Sequence, residues 1–302
     1  VTIELVTKPW VGVLAQPQLN LGVMEAFAEE HGLEEFAGDF GDRPDTPIGR
    51  IFQALERDDE ASHADLLTEF SGRFCYRAWD KGRSTGEYLK NIISERHGSV
   101  LAHSNVSFII TGVSRSLTHE LVRHHVGTNP SQESQRYVTA EGGEIEIVGF
   151  KANRAVVPPL IMKMAENPEL MTPRGESVVL TDFLAHYENA LDSYQIWLDR
   201  LKGSMSARFE DNKTIVKKRA QEAARCFLPN ASETRLVWTM NLRAARNVIE
   251  QRGNPGADLE IRRLAVAFTP ELKRVAPETF FDCEVYTAAD GFEAVRVEYS
   301  KV

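Results

Sequence analysis

Residues Arg123 to Tyr137 read RHHVGTNPSQESQRY. Arg123, His124, His125 and Arg136 surround a segment broken by Gly127 and Pro130, and only Glu133 opposes them, in a chain of formal net charge −9. Ser131, Gln132, Ser134 and Gln135 lie between these basic residues. A guanidinium presents a planar fork of donors that matches phosphate oxygens two at a time. Serine and glutamine donors, with backbone N–H groups freed around Gly127 and Pro130, would complete a cradle for an anion. A solvated surface loop could have the same composition, so composition alone leaves both readings open.

Two other chemistries are weaker. HELVRHH invites a metal reading, but a zincin needs histidines four apart on one helical face. Arg123 stands where that second histidine would be, and His124 lies about 140° around a helix from His119. Ser134 invites a nucleophile reading, but there is no GxSxG elbow and no acid–histidine pair to activate it. A hydroxyl that donates to a phosphate or to the backbone is the better assignment.

A second polar group lies in NLRAARNVIEQRG. At about 100° per residue, Arg243 and Asn247 share one helical face, and Asn241 and Arg252 share another. Such a helix is either wedged between two polar sites or simply half exposed. His97 and His103 flank GSVLA, and Arg225 lies in AARCFLP near a helix end, where a cation also complements the macrodipole. Each of these has an adequate structural explanation on its own.

The elements that must position these residues can be read from periodicity. VTIELV predicts a strand, GVMEAFAEEHG a short helix, DFGDRPDTPIG a loop and TGEYLKNIISER a helix. NVSFIITG, residues 105–112, predicts a buried strand. SRSLTHELVRHH predicts a helix capped by Ser114, which leaves RHHVGTNPSQESQRY as a loop after a strand–turn–helix unit. EGGEIEIVGF, residues 141–150, predicts another strand. From Glu176 onward the pattern predicts helices. One is a long amphipathic helix carrying Leu180, Phe183, Tyr187, Leu191, Tyr194 and Leu198. The next is capped by Asn212 and stops at Pro229, and a third begins near Asn241. A fourth is interrupted by Pro270 and closed by Pro277. Strands first and helices later predict an α+β (mixed α/β) fold, a central sheet with helices and a helical C-terminal half.

The 302 residues are 42% hydrophobic and 26% charged, which fits a globular protein with a sizeable core. No apolar run approaches the ~18 residues of a membrane helix, and VTIELVTKPW has no secretory core. Cys75, Cys226 and Cys283 form no CxxC pair, which predicts reduced thiols and a cytoplasmic location. A sequence pI near 5.5 argues against a nucleic-acid polymer as partner. Any anionic ligand must then be held by a local cluster.

Taken together, the segments resemble the flavin-dependent thymidylate synthases (ThyX). That family carries RHR, a spacer of seven or eight residues, then SxR; here the chain has RHH, VGTNPSQE and SQR. ARCFLPNASETR, WTMNLRAARNVIEQRG and ADLEIRRLA form a second matching block, and HGSVLAHSNVSF with SRSLTHELVRHH a third. The resemblance covers residues 73–284 of a single domain spanning 1–302, with 1–72 as an N-terminal elaboration.

The resemblance implies reductive C5-methylation of a uridylate, dUMP or UMP. FAD would be the cofactor, with NADPH as reductant and methylenetetrahydrofolate as carbon donor. It implies that Arg252 polarises the uracil ring as the catalytic residue. Glu120, Arg123, Gln132, Glu133, Ser134, Gln135, Arg136, Arg225 and Arg252 would bind the nucleotide. His97, Ser99, Arg123, His124, His125, Gln132, Asn241, Arg243 and Asn247 would bind FAD. It also implies a homotetramer with shared active sites, no metal and no membrane.

The chain departs from the family pattern at His125 (usually Arg), Cys75 (often Ser), Ala102 (often Glu) and Gly256 (often His). Some relatives in nucleoside-antibiotic pathways methylate UMP as well as dUMP, and the longer spacer is a place to accommodate a 2′-OH. A catalytically silent nucleotide-binding homologue and a related hydroxymethyl transfer remain as alternatives.

Overall fold

The computed structural model describes residues 3–33, 45–56, 62–79, 82–137, 153–208 and 212–302. The fold is mixed α+β. In chain order the elements are β1 (Glu4–Val6), β2 (Trp10–Ala15), α1 (Leu21–Glu30), α2 (Pro47–Glu56), α3 (His63–Tyr76), α4 (Thr85–Ser94), β3 (Asn105–Ser114) and α5 (Arg115–Leu121). Then come β4 (Thr128–Gln132), β5 (Arg154–Val156), α6 (Pro159–Ala165), α7 (Val178–Arg208), α8 (Lys213–Ala224), β6 (Glu233–Asn241), α9 (Leu242–Arg252), α10 (Leu259–Val275), β7 (Cys283–Thr287) and β8 (Glu293–Val297). Four strands are hydrogen-bonded in the order β2-β3-β6-β4, β1 pairs with β5 in parallel, and β7 pairs with β8 antiparallel. The described residues cluster into two compact units, one of residues 1–10, 110–123 and 131–237, the other of 11–109, 124–130 and 238–302.

The second unit contains the N-terminal helices. Met24 and Ala28 of α1, Ile48, Ile51 and Phe52 of α2, Leu66 of α3 and Trp79 form one buried cluster. Six residues of the N-terminal segment 1–72 thus contribute to a buried core. In the expected loop DFGDRPDTPIG, Pro47–Gly49 are helical. Pro47 needs no N–H at a first helical position, and Thr46 accepts from the Gly49 N–H at 3.2 Å. Residues 39–44 of that stretch lie outside the described residues, as does the strand expected at 141–150.

Helix α10 was expected to break at Pro270 but continues to Val275. Ile261, Leu264, Ala265 and Phe268 before the proline, and Leu272 and Val275 after it, are all buried. Burial on both sides outweighs the lost hydrogen bond. Phe268 meets Phe108 edge-on at 5.0 Å.

The same unit buries Arg246 of α9, with side-chain exposure 3%, against Asp282, at 0%. Nη1 and Nη2 reach the two carboxylate oxygens at 2.7 and 2.9 Å, and Nη1 also donates to the Thr279 carbonyl at 2.6 Å. Burial acts to raise the Asp282 pKa, but the Arg246 bonds outweigh it and hold the carboxyl below its ordinary value.

In the first unit, α7 and α8 pack through Tyr194, Leu198, Ala220 and Ala224. Asn212 caps α8 as expected, accepting from Thr214 N at 3.1 Å and Ile215 N at 3.3 Å.

Helices dominate after Glu176 as expected, with three strands, β6, β7 and β8, among them. In β6, Thr234, Leu236, Trp238 and Met240 are buried while their neighbours are half exposed, the alternation of a one-sided strand. β7 and β8 form a hairpin with Cys283 opposite Val297 and Thr287 opposite Glu293. One correction concerns Thr128–Gln132, which is a strand rather than a loop. It lies at the sheet edge, where Pro130 costs little because an outward N–H is not needed.

Arg246→Ala should leave Asp282 buried without its partner. We expect a loss of about 3–5 kcal/mol, seen as a lower urea midpoint with little change in slope.

Candidate functional site

Two groups of site residues emerge, one in each unit. In the first unit, Ser114 caps α5 by accepting from Leu117 N at 3.0 Å. The Arg115 and Ser116 N–H groups donate to the Ser232 and Asn230 carbonyls at 3.1 Å each, pinning the start of α5. Arg115 Nη1 donates to the Glu133 carbonyl at 3.1 Å. Gln132 Nε2 donates to both Thr118 Oγ1 and Thr234 Oγ1 at 3.1 Å. The Glu133 carboxylate meets Arg235 at 3.3 Å, and Arg235 also binds Glu233 at 2.9 Å.

Ser134 accepts from the Arg136 N–H through Oγ at 3.3 Å and from the Tyr137 N–H through its carbonyl at 3.0 Å. Its role here is to shape the turn. Arg136 Nη2 binds Glu222 at 2.9 Å, while its Nε is buried with no hydrogen-bond partner. Lys218 Nζ lies 5.0 Å from the Tyr137 ring centre, and its hydrogen bond and charge hold the Tyr137 pKa below normal.

Arg225 begins a short 3-10 turn after α8 and is exposed, with no hydrogen-bond or ion-pair partner for its guanidinium among the described residues. Burial, then the Arg225 charge, lower the Arg115 pKa, and only Glu133 acts in the other direction. Burial and a neighbouring like charge both disfavour the Arg115 cation, and a bound anion would offset both. Glu120 is half-buried on α5, Arg123 is exposed just past it and Gln135 is half-buried beside Arg136.

In the second unit, the α9 C-terminus carries Arg252, whose Nε donates to His124 Nε2 at 2.8 Å. His124 is buried. Burial, then the Arg252 charge, push its pKa below the ordinary 6.5, so the ring is neutral at pH 7 and accepts at Nε2. That contribution to stability is full above about pH 6.5 and is lost as pH falls through the lowered folded value.

Gly127, at φ 72°, brings its carbonyl 3.0 Å from the Asn241 N–H, and a Cβ there would lie 2.5 Å from Asn241 Nδ2. Asn241 caps α9, accepting from Ala244 N at 2.8 Å. Asn247 accepts from Gln251 at 2.8 Å, and His125 is exposed.

A cavity of about 330 Å³ in this unit is lined by Tyr88, Cys75, Arg96, His97, Ser99 and Arg243 among others. It gathers His97, Ser99 and Arg243 from the expected FAD group; His124, His125, Asn241 and Asn247 do not line it. Its wall is firmly built. The Arg73 guanidinium lies 4.3 Å from the Tyr88 ring centre and 2.7 Å from Glu69, with both charges buried. A Cβ on Gly72 would sit 2.2 Å from the Tyr88 hydroxyl, so the ring rests on bare backbone. An aromatic wall beside Ser99, His97 and two arginines suits a planar heteroaromatic ligand bearing phosphates.

Sequence reasoning missed Arg115, Arg235, Thr118 and Thr234, which hold the phosphate-type segment, and Arg73 with Tyr88. Glu69 and Arg73, four apart on α3, were the available signal for the last pair. Arg115 offered none, since SRS reads as an ordinary helix start.

A family model described as "Thymidylate synthase complementing protein" (Thy1) matches residues 59–278. The chain belongs to the flavin-dependent thymidylate synthase family. The flavin-dependent thymidylate synthase of Mycobacterium tuberculosis (strain ATCC 25618 / H37Rv) is 40% identical over 240 residues, 78% of this chain and 85% of that protein. The one from Mycobacterium sp. (strain KMS) is 42% identical over the same length and coverage. The fold also resembles crystal structures of the UMP/dUMP methylase PolB from Streptomyces cacaoi. With 5-Br UMP bound the TM-score is 0.56 at 18% identity, covering 92% of this chain and 95% of that one. With 5-Br dUMP the TM-score is 0.53 at 19% identity. Family membership makes this chain an enzyme. No described helix is long and apolar enough to cross a membrane.

The His124–Arg252 contact predicts that the imidazole titrates below 6.5 in the folded protein by NMR. Arg252→Gln should move it upward, because the charge that depresses it is gone.

Proposed function

We propose that the protein methylates C5 of a uridine monophosphate, dUMP or UMP, with FAD as its cofactor. Methylenetetrahydrofolate supplies the carbon and NADPH the reducing equivalents. The observation that carries this reading is the basic cluster of the first unit: Arg225 is exposed with no partner among the described residues, and Arg115, held to the Glu133 carbonyl, is disfavoured as a cation by burial and then by the Arg225 charge. Arg136 adds a buried, unsatisfied Nε. The family's established chemistry and the UMP/dUMP methylase neighbours support the choice of a uridylate as the phosphate's carrier.

In this reading Arg115, Arg225 and Arg136 bind and orient the phosphate, while Gln132, held by Thr118 and Thr234, and Ser134 shape the segment around the sugar. Glu120, Arg123, Glu133 and Gln135 complete that group. Arg252 donates to the uracil and stabilises the negative charge that develops on the ring, an oxyanion-hole type of role. Neutral His124 keeps Arg252 in one geometry without neutralising it.

The cavity built on Tyr88, with His97, Ser99 and Arg243, holds FAD, which supplies the redox chemistry of the reaction when bound. His125, Asn241 and Asn247 belong to the wider cofactor shell implied by the family. The protein works as a homotetramer in the cytoplasm, in keeping with exposed, unpaired Cys75 and Cys226.

The test is turnover on dUMP and UMP side by side, with product mass and NADPH oxidation followed together. Protein with FAD should give a product heavier by CH2, the C5 hydrogen being replaced by a methyl group. Arg252→Ala should fold and bind FAD but lose about 10²–10³ in kcat. A hydroxymethyl product, or nucleotide binding without turnover, would overturn the assignment.

A further inference from the structure

Helix α9 presents Arg243, Arg246 and Glu250 at spacings of three and four, which places them along one side of the helix. Residues 299–302 bond to all three. Arg246 Nη2 donates to the Tyr299 carbonyl at 3.0 Å, and the Lys301 N–H donates to Glu250 Oε2 at 2.9 Å. Arg243 Nε donates to the backbone oxygen of Val302 at 3.3 Å. Lys301 has φ 59°, a left-handed conformation that few side-chain-bearing residues adopt. It accompanies the return of the chain from Glu250 to Arg243, one turn or more back along the helix.

Val302 also covers Gly98: a Cβ on that glycine would lie 2.5 Å from the Val302 carbonyl carbon. Gly98 and Arg243 both line the cavity assigned to FAD. The segment, and the β7–β8 hairpin before it, lie beyond residue 278, where the family match ends.

We propose that Tyr299–Val302 is a positioning strap that holds Arg243 by its Nε at the cavity rim and offers the remaining guanidinium donors to a phosphate of FAD. The inference rests on the cofactor reading of this cavity. The two Nη groups of Arg243 have no partner among the described residues, so they remain available to an anion. A long exposed arginine normally loses rotamer freedom when it grips a ligand. Here the strap restricts that freedom before the ligand arrives, so less is lost on binding. Arg243 is therefore a binding residue and Lys301 a positioning residue that acts through it.

The test uses a pair of substitutions at Lys301, an exposed position. Lys301→Pro removes the N–H that Glu250 accepts and forces φ to about −65°. Lys301→Gly keeps the N–H and favours positive φ. FAD affinity is measured by fluorescence titration of the full chain, with the thermal midpoint of each apoprotein as a check on folding. We expect Lys301→Pro to weaken FAD binding about tenfold with an unchanged midpoint, and Lys301→Gly to bind as the wild type does. In an Arg243→Ala background, Lys301→Pro should cause no further loss. Unchanged affinity in Lys301→Pro, or an equal loss with and without Arg243, overturns the strap while leaving the cofactor assignment standing. Wild-type protein that takes up no FAD overturns both.

Discussion

The buried ion pair between Arg246 and Asp282 fixes how α9 is rolled about its own axis. The buried guanidinium is held at Nη1 and Nη2 by Asp282 and by the Thr279 and Tyr299 carbonyls, so the helix has little freedom to turn. Its other polar residues inherit that constraint. Asn241 is set at its N-terminus as a cap, Arg243 at the cavity rim and Arg252 at the C-terminal end facing His124. A pair that contributes modest net stability can still determine geometry in this way. The helix thus presents polar residues to two places, the cavity and His124, while a third residue that faces neither sets its orientation.

The first unit solves a different electrostatic problem. Burial, and then the charge of Arg225, lower the Arg115 pKa. Hydrogen bonds from Arg115 to the Glu133 backbone, and from the first turn of α5 to residues 230 and 232, hold the arrangement against its own repulsion. The acidic side chains nearby are mostly committed elsewhere: Glu133 and Glu233 to Arg235, and Glu222 to Arg136. In a chain of net charge −9, these commitments keep a locally positive surface from being neutralised internally.

Much of this was legible in the sequence because caps and periodicity are local. Ser114, Asn212 and the span of α7 follow from residue types within a few positions. The clustering of Arg123, His124, His125 and Arg136 around Gly127 and Pro130 is visible in the composition, which by itself leaves an anion cradle and a solvated loop both open. What the sequence concealed depended on distant partners. Thr128–Gln132 is polar and contains a proline, so nothing local marks it as a strand; β6 provides the pairing. The side-chain oxygen of Asn241 caps α9, a role beside the ligand contact that the resemblance implies. β6 itself was readable from the alternation of Leu236, Trp238 and Met240, and was obscured by the helices around it. Arg115 could not be found locally because its significance comes from Arg225, far along the chain.

The placement of Thr128–Gln132 at the outer margin of the sheet has a consequence for how such enzymes can diversify. Side chains along a strand alternate between faces, so adding or removing one residue within it would turn Gln132 away from Thr118 and Thr234. Length changes must be absorbed before the strand, at the Gly127 turn, where left-handed backbone allows the chain to be re-threaded. Residues of this strand other than Gln132 can therefore be exchanged by evolution or a protein engineer, but the strand can be lengthened only at its hinge.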